Sequence, residues 1–301
     1  MVNVVACTIF ENDYHLGVAG LANSLYHAGF HGRVFAAYRG DLPVWATSAS
    51  DGVFNAANDL DIIFYKTRYT NHLTTYKPTF MLDIFKLDES IEGVLYFDPD
   101  IVALVQWSFF CDWIRYGVAL CSDSHRYMMH ASHPIKQKWK TELGSLFPRW
   151  RDFYGYANAG FVGISRDNIA FLSAWKTVID HMRLNTMNLN LIKIHDPTHP
   201  FHNQDQDALN AAIHLCDVPI SLAGQEEMGF FHAMPYMAHA LGPKPWRKGF
   251  VREALRGRRP SFAAKQYWRY VENPIRVFSP LQIRTVGLEI LLARFIAGIR
   301  G

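Results

Sequence analysis

The sequence predicts an α/β protein built on an open, mixed and mainly parallel β-sheet that is flanked by helices. Three observations predict it. Short apolar runs rich in β-branched and aromatic residues alternate with segments of helical periodicity. The 301 residues are 50% hydrophobic, which is enough for a large core. One apolar run ends in two carboxylates, at the edge where such sheets bind ligands.

Strands and helices alternate through the first 121 residues. The first helix is predicted over 14–27, where apolar residues recur at helical spacing, although Gly17 and Gly20 are unusual inside a helix. A second helix over 78–87 begins at a proline, which is tolerated in a first turn. The predicted strands of this part are 2–7, 34–38, 61–65, 94–97 and 117–121.

The pattern becomes less regular beyond residue 121, where a strand over 161–164 and helices over 170–182 and 205–215 are predicted. The clearest shift in composition follows Trp246. The sequence therefore predicts a body of residues 1–246 and a helical C-terminal extension of residues 247–301.

The extension is strongly basic. From Arg247 to Gly301 there are 12 Lys and Arg against 3 Asp and Glu, a net charge of +9, whereas the whole chain carries +3. Residues 1–246 therefore carry −6. Because aromatic and aliphatic residues are interleaved with the arginines, an anionic membrane surface fits this extension better than nucleic acid. A tail packed on its own domain is an equal alternative.

Four widely separated cysteines without a CxxC pair fit a reducing compartment and give no zinc signature. Residues 1–8 lack the basic and apolar regions of a signal peptide. The expected location is cytoplasmic, with a peripheral contact at the inner face of the membrane.

The two carboxylates belong to Asp98 and Asp100, which follow the strand over 94–97 and are separated by Pro99. An unpartnered carboxylate is costly at the end of a buried strand. A hard divalent cation would resolve this conflict and could bind a phosphorylated ligand. The pattern alone is more typical of a solvated Asp-Pro turn.

Three further segments carry polar groups in patterns that suit a ligand. Residues 156–164 place Asn158 and small residues at the start of a strand, where a ligand can approach the backbone. Residues 203–210 cluster acids and amides at a helix start, and an N-cap accounts for only one of them. Residues 239–246 offer an imidazole and an ammonium on a Gly/Pro loop, a pair that suits a metal-bound diphosphate.

These motifs, in this order, resemble glycosyltransferase family 8, whose members include glycogenin and bacterial lipooligosaccharide galactosyltransferases. The resemblance covers Tyr-Phe-Asp-Pro-Asp, Asn-Ala-Gly, Asp-Gln-Asp-x-Leu-Asn and His-x-x-Gly…Lys-Pro-Trp, within residues 2–246. It implies a GT-A fold, with 1–246 as the nucleotide-sugar-binding catalytic domain. It also implies transfer of a sugar, usually from a UDP-linked donor, with retention at the anomeric carbon and with Mn²⁺ as cofactor.

The resemblance also implies roles by position. Asp98, Asp100 and His239 would bind Mn²⁺ (or Mg²⁺), and Lys244, with Gly242 in the same loop, would contact the diphosphate. The remaining donor contacts would come from Tyr14 on the uracil, Thr8 near the base or ribose, Lys77 near the phosphates and sugar, and Asn158, Asp205, Gln206 and Asp123 around the sugar. The loop between Gly242 and Lys244 is one residue shorter than the family pattern.

Retention requires two inversions or attack from the face of departure. Asp205 and Gln206 are the candidates beneath the anomeric carbon. Because an amide is a poor nucleophile, Gln206 would rather stabilise positive charge during same-face attack, and the sequence favours that route. The expected acceptor is a glycan or lipid-linked saccharide, as in polysaccharide or lipopolysaccharide synthesis, and no nucleic-acid partner is expected.

Two other functions stay open. A nucleotidyltransferase that makes nucleotide sugars shares the sheet type, but 8–17 lacks the glycine cluster and basic residue of its first loop. A non-catalytic sugar-nucleotide binder is the other. Two histidine-rich stretches remain outside the motifs. The sequence of 194–202 predicts a rigid surface loop near the acceptor, with a second metal site as the alternative. The histidines at 125, 130 and 133 are interpreted as polar loop residues, with acceptor contact as the alternative.

Overall fold

The structure is a computed structural model that describes residues 3–147, 149–185, 187–231 and 234–299. The described residues contain ten strands: β1 (Val4–Glu11), β2 (Gly32–Arg39), β3 (Val53–Ala57), β4 (Leu60–Lys66), β5 (Gly93–Phe97), β6 (Ile101–Ala103), β7 (Val118–Ser122), β8 (Ala157–Ser165), β9 (Ile220–Ala223) and β10 (Met237–His239).

The same residues contain nine α-helices: α1 (His15–His27), α2 (Lys77–Leu87), α3 (Trp107–Trp113), α4 (Pro134–Leu143), α5 (Ala170–Leu184), α6 (Gln204–Leu215), α7 (Phe250–Leu255), α8 (Phe262–Tyr267) and α9 (Pro280–Ile299). Short 3₁₀ turns lie at Asn12–Tyr14, Val44–Ala46, Leu73–Tyr76, Ile114–Tyr116, Arg166–Asn168, Gln225–Met228 and Pro245–Arg247.

Eight strands form one mixed sheet in the order β3-β4-β2-β1-β5-β8-β7-β9, and β6 pairs with β10 in a separate two-stranded sheet. The pairs β1–β5 and β7–β9 are parallel, whereas β8 runs antiparallel to both β5 and β7. The predicted α/β class, with an open mixed sheet flanked by helices, is confirmed.

Every predicted element is present, with different ends for some of them. β1 extends to Glu11, so Thr8 lies within the strand and not in the following loop. β8 begins at Ala157, four residues before the predicted strand, because the small residues of Asn-Ala-Gly continue the antiparallel pairing. Hydrophobic periodicity does not predict β3, β6, β9 or β10, because these strands are short and β3 and β9 are only partly buried.

The described contacts divide the chain into two compact units, each made of separate stretches of sequence. The first unit consists of Met1–Ile9, Lys66–Phe97 and Ser108–Gln225. In it α2 packs on α5, and α5 packs on α6. Its buried core includes Phe97, Phe161, Trp139 and Trp175, so the strand that precedes Asp98 is anchored in apolar surroundings.

The second unit consists of Phe10–Tyr65, Asp98–Trp107 and Glu226–Gly301. Here α8 and α1 pack against the β6–β10 pair, with Val102, Ala238, Ala263 and Tyr267 in the shared core. The helices α7, α8 and α9 contribute to a second cluster around Phe250, Ala254, Ala264 and Ala293. The helical nature of the basic extension is thereby confirmed, whereas a domain boundary at Trp246 stays a prediction.

The long helix α9 packs through one face only. Val286, Ile290, Ala293 and Ile296 contact the cluster formed with α7 and α8. The exposed large apolar side chains of α9 are Leu281, Leu288, Leu291, Leu292 and Phe295, each between 49% and 74% exposed. Among the described helices, none combines the length and the apolar character needed to cross a bilayer.

Candidate functional site

The Asp98–Asp100 segment forms a tight turn between two buried strands. β5 ends at Phe97 and β6 begins at Ile101, whose backbone N–H donates to the carbonyl oxygen of Asp98 at 3.0 Å. Asp100 is buried, whereas Asp98 is partly exposed. The turn therefore holds both carboxylates beside one another at the end of a buried strand.

The β6–β10 pairing explains how a distant histidine joins them. His239 lies opposite Ile101 in the antiparallel register, and the N–H of Ala240 donates to the carbonyl oxygen of Asp100 at 3.1 Å. His239 Nε2 lies 3.3 Å from Asp100 Oδ1 and 3.8 Å from Asp98 Oδ2. The buried Nδ1 of His239 makes no hydrogen bond to a described residue.

One potential ligand atom from each of Asp98, Asp100 and His239 lies within 4.8 Å of the others. Atoms that bind one Mn²⁺ or Mg²⁺ at about 2.0–2.2 Å lie at most about 4.4 Å apart, so a small side-chain movement would close this set around an ion. Two carboxylates and one imidazole suit Mn²⁺ better than Mg²⁺, which prefers oxygen ligands alone. The residues present thus fit a divalent transition metal.

Lys244 approaches the same acid. Its Nζ donates to Asp100 Oδ2 and, at 3.0 Å, to the carbonyl oxygen of Ala240. The connecting loop turns at Gly242, whose φ of +73° favours glycine. Burial alone would raise the pKa of the Asp100 carboxyl, but His239 and Lys244 outweigh it and hold that pKa below its usual range. Asp100 is therefore ionised at neutral pH.

Tyr14 is held beside this cluster by residues that the sequence analysis did not select. Its ring packs edge-on against Trp246, with centroids 5.6 Å apart, and Lys244 Nζ lies 5.8 Å from the ring centroid. Asp13 accepts hydrogen bonds from Trp246 Nε1 at 3.0 Å and from the Arg247 guanidinium. Arg247 is the first residue of the basic extension, and composition does not predict its hydrogen bond to Asp13.

The contacts around Gly17 explain why the first turn of α1 contains a glycine. A Cβ atom there would overlap the carbonyl oxygen of Pro99 and lie 2.8 Å from the Trp246 ring. The backbone of α1 therefore approaches the Asp98–Asp100 turn as closely as only glycine allows. Gly20 has a similar role, since a Cβ atom there would lie 2.7 Å from the Tyr267 ring.

A second polar cluster lies in the first unit, around the carboxylate of Asp123. Its Oδ2 accepts hydrogen bonds from Asn158 Nδ2 at 3.1 Å and from Gln206 Nε2 at 3.2 Å. Gln206 Oε1 accepts from the Ala159 N–H at 3.2 Å, and Asn158 Oδ1 accepts from the Gly160 N–H at 2.8 Å. Three of the predicted sugar-binding residues therefore form one hydrogen-bonded group at the start of β8.

The buried Lys77 forms an ion pair with the partly buried Asp205 in the same unit. Lys77 Nζ donates to Asp205 Oδ2 at 3.2 Å and to the Ala159 carbonyl oxygen at 2.9 Å, and its side chain is 1% exposed. The Asp205 carboxylate is thus engaged by a cation, which reduces its strength as a nucleophile. Thr8 is fully buried, and its hydroxyl makes no hydrogen bond to a described residue.

Two other polar residues of the 203–210 segment have structural contacts. Asp207 is buried and accepts from Tyr156 Oη and from the Asn203 N–H, each at 2.6 Å, so it caps α6. Burial raises the pKa of Asp207 to about 7, despite these hydrogen bonds. Asn210 joins α6 to β8 through both backbone groups of Ala157. An acid in the first turn that accepts from the N-cap N–H acts like the acidic residue of a capping box.

The fold of this chain is the GT-A fold of known glycosyltransferases. The bifunctional glycosyltransferase WbbM, in an apo structure, matches with a TM-score of 0.54 and 12% identity over 94% of this chain and 51% of that chain. This chain thus spans about half of WbbM.

Two structures of the galactosyltransferase LgtC also match. The complex of LgtC with donor and acceptor sugar analogs gives a TM-score of 0.55 and 14% identity. An active-site mutant of LgtC gives a TM-score of 0.55 and 13% identity. Each of the two matches covers 93% of this chain and 99% of LgtC. At these identities the similarity establishes the fold alone. No protein-family model and no curated protein matches the sequence.

Proposed function

We propose that this chain is a metal-dependent, retaining glycosyltransferase that takes its sugar from a nucleotide-diphosphate donor, most simply a UDP-sugar. The observation that carries the proposal is the convergence of Asp98, Asp100 and His239 within 4.8 Å, in a chain with the fold of LgtC and WbbM. LgtC is a galactosyltransferase whose structure was determined with donor and acceptor sugar analogs, which supports a sugar donor here.

The second unit supplies groups that suit the diphosphate. Asp98, Asp100 and His239 would hold the ion, which when bound neutralises the charge that develops on a leaving diphosphate. Lys244 would turn its ammonium from Asp100 to the same phosphates, because the ion would then compensate the Asp100 carboxylate. Tyr14 would stack on the base, with its ring held by Trp246. Gly242 supplies the turn that brings Lys244 back to Asp100.

The first unit supplies groups that suit a sugar. Asp123, Asn158 and Gln206 would exchange some of their mutual hydrogen bonds for sugar hydroxyls. Lys77 would orient Asp205 and add positive charge near the donor. Thr8 would offer its unsatisfied hydroxyl to the base or ribose.

Same-face attack agrees best with these contacts. Asp205 is paired with buried Lys77, whereas Gln206 is partly exposed and directs an amide oxygen at a backbone N–H that a ligand could replace. Gln206 would stabilise positive charge at the anomeric carbon. A departing phosphate oxygen would accept the proton of the acceptor hydroxyl. The active-site variant of LgtC replaces a glutamine with glutamate, which supports a role for an amide side chain.

The test is a thermal-shift panel of nucleotide sugars with and without Mn²⁺, followed by assays of donor hydrolysis and transfer. The matching donor should raise Tm only with metal, since a ligand at 100 times its Kd stabilises by about 2.7 kcal/mol. Asp100→Asn should abolish that rise and lower turnover by roughly 10²–10³-fold. Asp112→Asn, the same change at an exposed acid, should leave both unchanged.

Three results would contradict the proposal. Unchanged turnover in the presence of EDTA would show that the reaction does not depend on a metal ion. Formation of a nucleotide sugar from a sugar phosphate and a nucleoside triphosphate would indicate a nucleotidyltransferase. Metal-dependent binding without hydrolysis or transfer to any saccharide would indicate a binding protein.

For the extension, we propose a peripheral contact with an anionic membrane at the cytoplasmic face, where a glycolipid acceptor would be found. α9 exposes four leucines and a phenylalanine together with Arg284 and Arg294, and the region 247–301 carries a net charge of +9. An apolar helix face beside basic residues is the pattern of interfacial helices.

A further inference from the structure

A cavity of about 500 Å³ lies within the first unit, and none of its described lining residues has a role in the proposed function. Residues 125–129 form one wall, the start of α4 (133–135 and Lys138) forms another, and Pro197 and Thr198 complete it. The volume is in the range of roughly 300–1,000 Å³ that is typical of small-ligand sites. The cavity also unites the two histidine-rich stretches that the family motifs leave unexplained.

The lining is cationic. Arg126 and Lys138 both line the cavity, and its described lining residues include two histidines but no Asp or Glu. Lys138 Nζ donates to the Thr198 carbonyl oxygen at 2.7 Å, which leaves ammonium protons for a ligand. Arg126 Nη1 makes no hydrogen bond to a described residue and lies 4.0 Å from Asp207 Oδ1.

A third cation lies behind the cavity wall. Lys136 is fully buried, and its Nζ donates to the carbonyl oxygens of Met129, Phe153 and Gly155 at 3.0, 2.7 and 2.9 Å. No carboxylate is among these partners. Three basic side chains, Arg126, Lys136 and Lys138, therefore lie in or behind the wall. Asp207 near Arg126, and Asp196, which accepts hydrogen bonds from Thr198, partly oppose their charge.

The cavity also presents apolar surface to a ligand. Tyr127 is 43% exposed and Met128 is 79% exposed, both on the lining. An aromatic ring beside charged donors is the combination that binds a sugar ring with an ionic substituent.

Asp123 connects the cavity wall to the proposed sugar-binding cluster. Its Oδ1 accepts from the backbone N–H groups of His125 and Arg126, at 3.0 and 3.3 Å, while its Oδ2 accepts from Asn158 and Gln206. The wall segment 125–129 therefore follows closely after Asp123, which is the centre of the proposed sugar-binding cluster. A ligand in the cavity would lie next to that cluster.

We infer that this cavity binds the acceptor, and that the acceptor is a saccharide carrying a phosphate or carboxylate group. The assignment of the ligand as the acceptor rests on the proposed function. The assignment of an anionic saccharide rests on the lining of the cavity alone. Arg126 and Lys138 bind the anionic group, and Tyr127 packs against a sugar ring.

The test is an NMR titration of the full chain labelled with ¹³C at its methionine methyl groups, without donor. Met128 and Met129 line the cavity, and the chain has 9 Met, so the other methyl signals serve as internal controls. Met128→Leu and Met129→Leu assign the two signals. The probes are glucose 6-phosphate, glucuronate, glucose and inorganic phosphate.

Glucose 6-phosphate, glucuronate or both should shift the Met128 and Met129 signals, with a Kd at least tenfold lower than that of glucose. Which of the two binds tells a phosphate from a carboxylate substituent. Lys138→Ala should weaken that binding at least tenfold, and Arg126→Gln is the second variant if Lys138→Ala does not fold. The matched control is Lys140→Ala, which removes the same charge from an exposed position on α4 outside the cavity.

Equal binding of glucose, shifts confined to other methionines, or full affinity in both Lys138→Ala and Arg126→Gln would overturn the inference. Inorganic phosphate that binds as tightly as glucose 6-phosphate would overturn the assignment to a saccharide. Because the titration uses no donor and no turnover, it can fail while donor hydrolysis persists, and the two proposals can be separated.

Discussion

At the scale of single residues, sequence motifs predicted which side chains would meet but not what holds them in place. Asp98, Asp100 and His239 lie together although the loop after His239 is one residue shorter than the family pattern. The reason is that strand register, and not loop length, positions His239 opposite Ile101. The supporting contacts of Asp13 and Arg247 are specific to the folded chain and carry no motif.

Gly17 gives a prediction at this scale. Gly17→Ala should destabilise the protein by about 1–3 kcal/mol, because its Cβ atom would overlap Pro99 and the chain would have to move. Since Pro99 lies between Asp98 and Asp100, the variant should also bind Mn²⁺ at least tenfold more weakly. Chemical denaturation and metal titration measure the two effects.

The control for Gly17→Ala is Gly287→Ala in α9. Among the described residues, no atom beyond the neighbouring residues and the helix's own backbone lies within 4 Å of a Cβ atom at Gly287, so alanine there should stabilise the helix by roughly 0.5–1 kcal/mol. A Gly17→Ala variant as stable as the wild type would show that α1 and the Asp98–Asp100 turn are not in close contact.

At the scale of elements, periodicity found the long helices and the buried strands, because apolar faces leave a regular pattern. It missed β6 and β10, which have three residues each and owe their strand character to pairing with one another. It also could not divide the polar residues of α6 between structure and site. Gln206 contacts the Asp123 cluster, whereas Asp207 and Asn210 attach the helix to its neighbours.

Asp207 makes α6 sensitive to pH. Its pKa is about 7 in the folded protein and near 3.9 in an unfolded chain, so the folded state binds its proton more tightly. This contribution to stability is complete below pH 4 and is lost as pH rises through 7, by at most about 4 kcal/mol. Asp207→Asn should remove this loss, as measured by urea unfolding between pH 4 and 8.

The comparison must be made between Asp207→Asn and the wild type at each pH. Burial lowers the pKa of His214 to about 4, so its contribution changes in the opposite direction between about pH 4 and 6.5. Subtracting the free energy of unfolding of the variant from that of the wild type at each pH cancels the contribution of His214, which both proteins contain. A difference that does not vary with pH would show that Asp207 is ionised throughout.

At the scale of the whole molecule, the role of the basic extension 247–301 depends on how α9 packs. The sequence could not decide between a packed tail and a membrane-binding one. One face of α9 packs on α7 and α8, whereas the exposed side combines large apolar side chains with Arg284 and Arg294.

Sedimentation with vesicles that contain an anionic phospholipid tests the membrane contact. Leu288→Glu and Leu291→Glu should each reduce binding at least tenfold, because a carboxylate would enter the lipid interface, while the packed face of α9 is unchanged. Leu184→Glu, at a leucine of α5 that is 78% exposed, should bind like the wild type. If the wild-type protein does not bind these vesicles, or if all variants bind them equally, α9 has a packing role and does not bind the membrane.

The β6–β10 pairing has a consequence for biosynthesis. Asp100 and His239 are neighbours only after the chain between them has been translated, and the helix that packs on the pair, α8, comes later still. A nascent chain on the ribosome therefore carries its acidic turn without the imidazole or the Lys244 ammonium. The proposed metal binding should therefore follow translation of α8, so a product truncated before residue 237 should show no binding of Mn²⁺ in a metal titration.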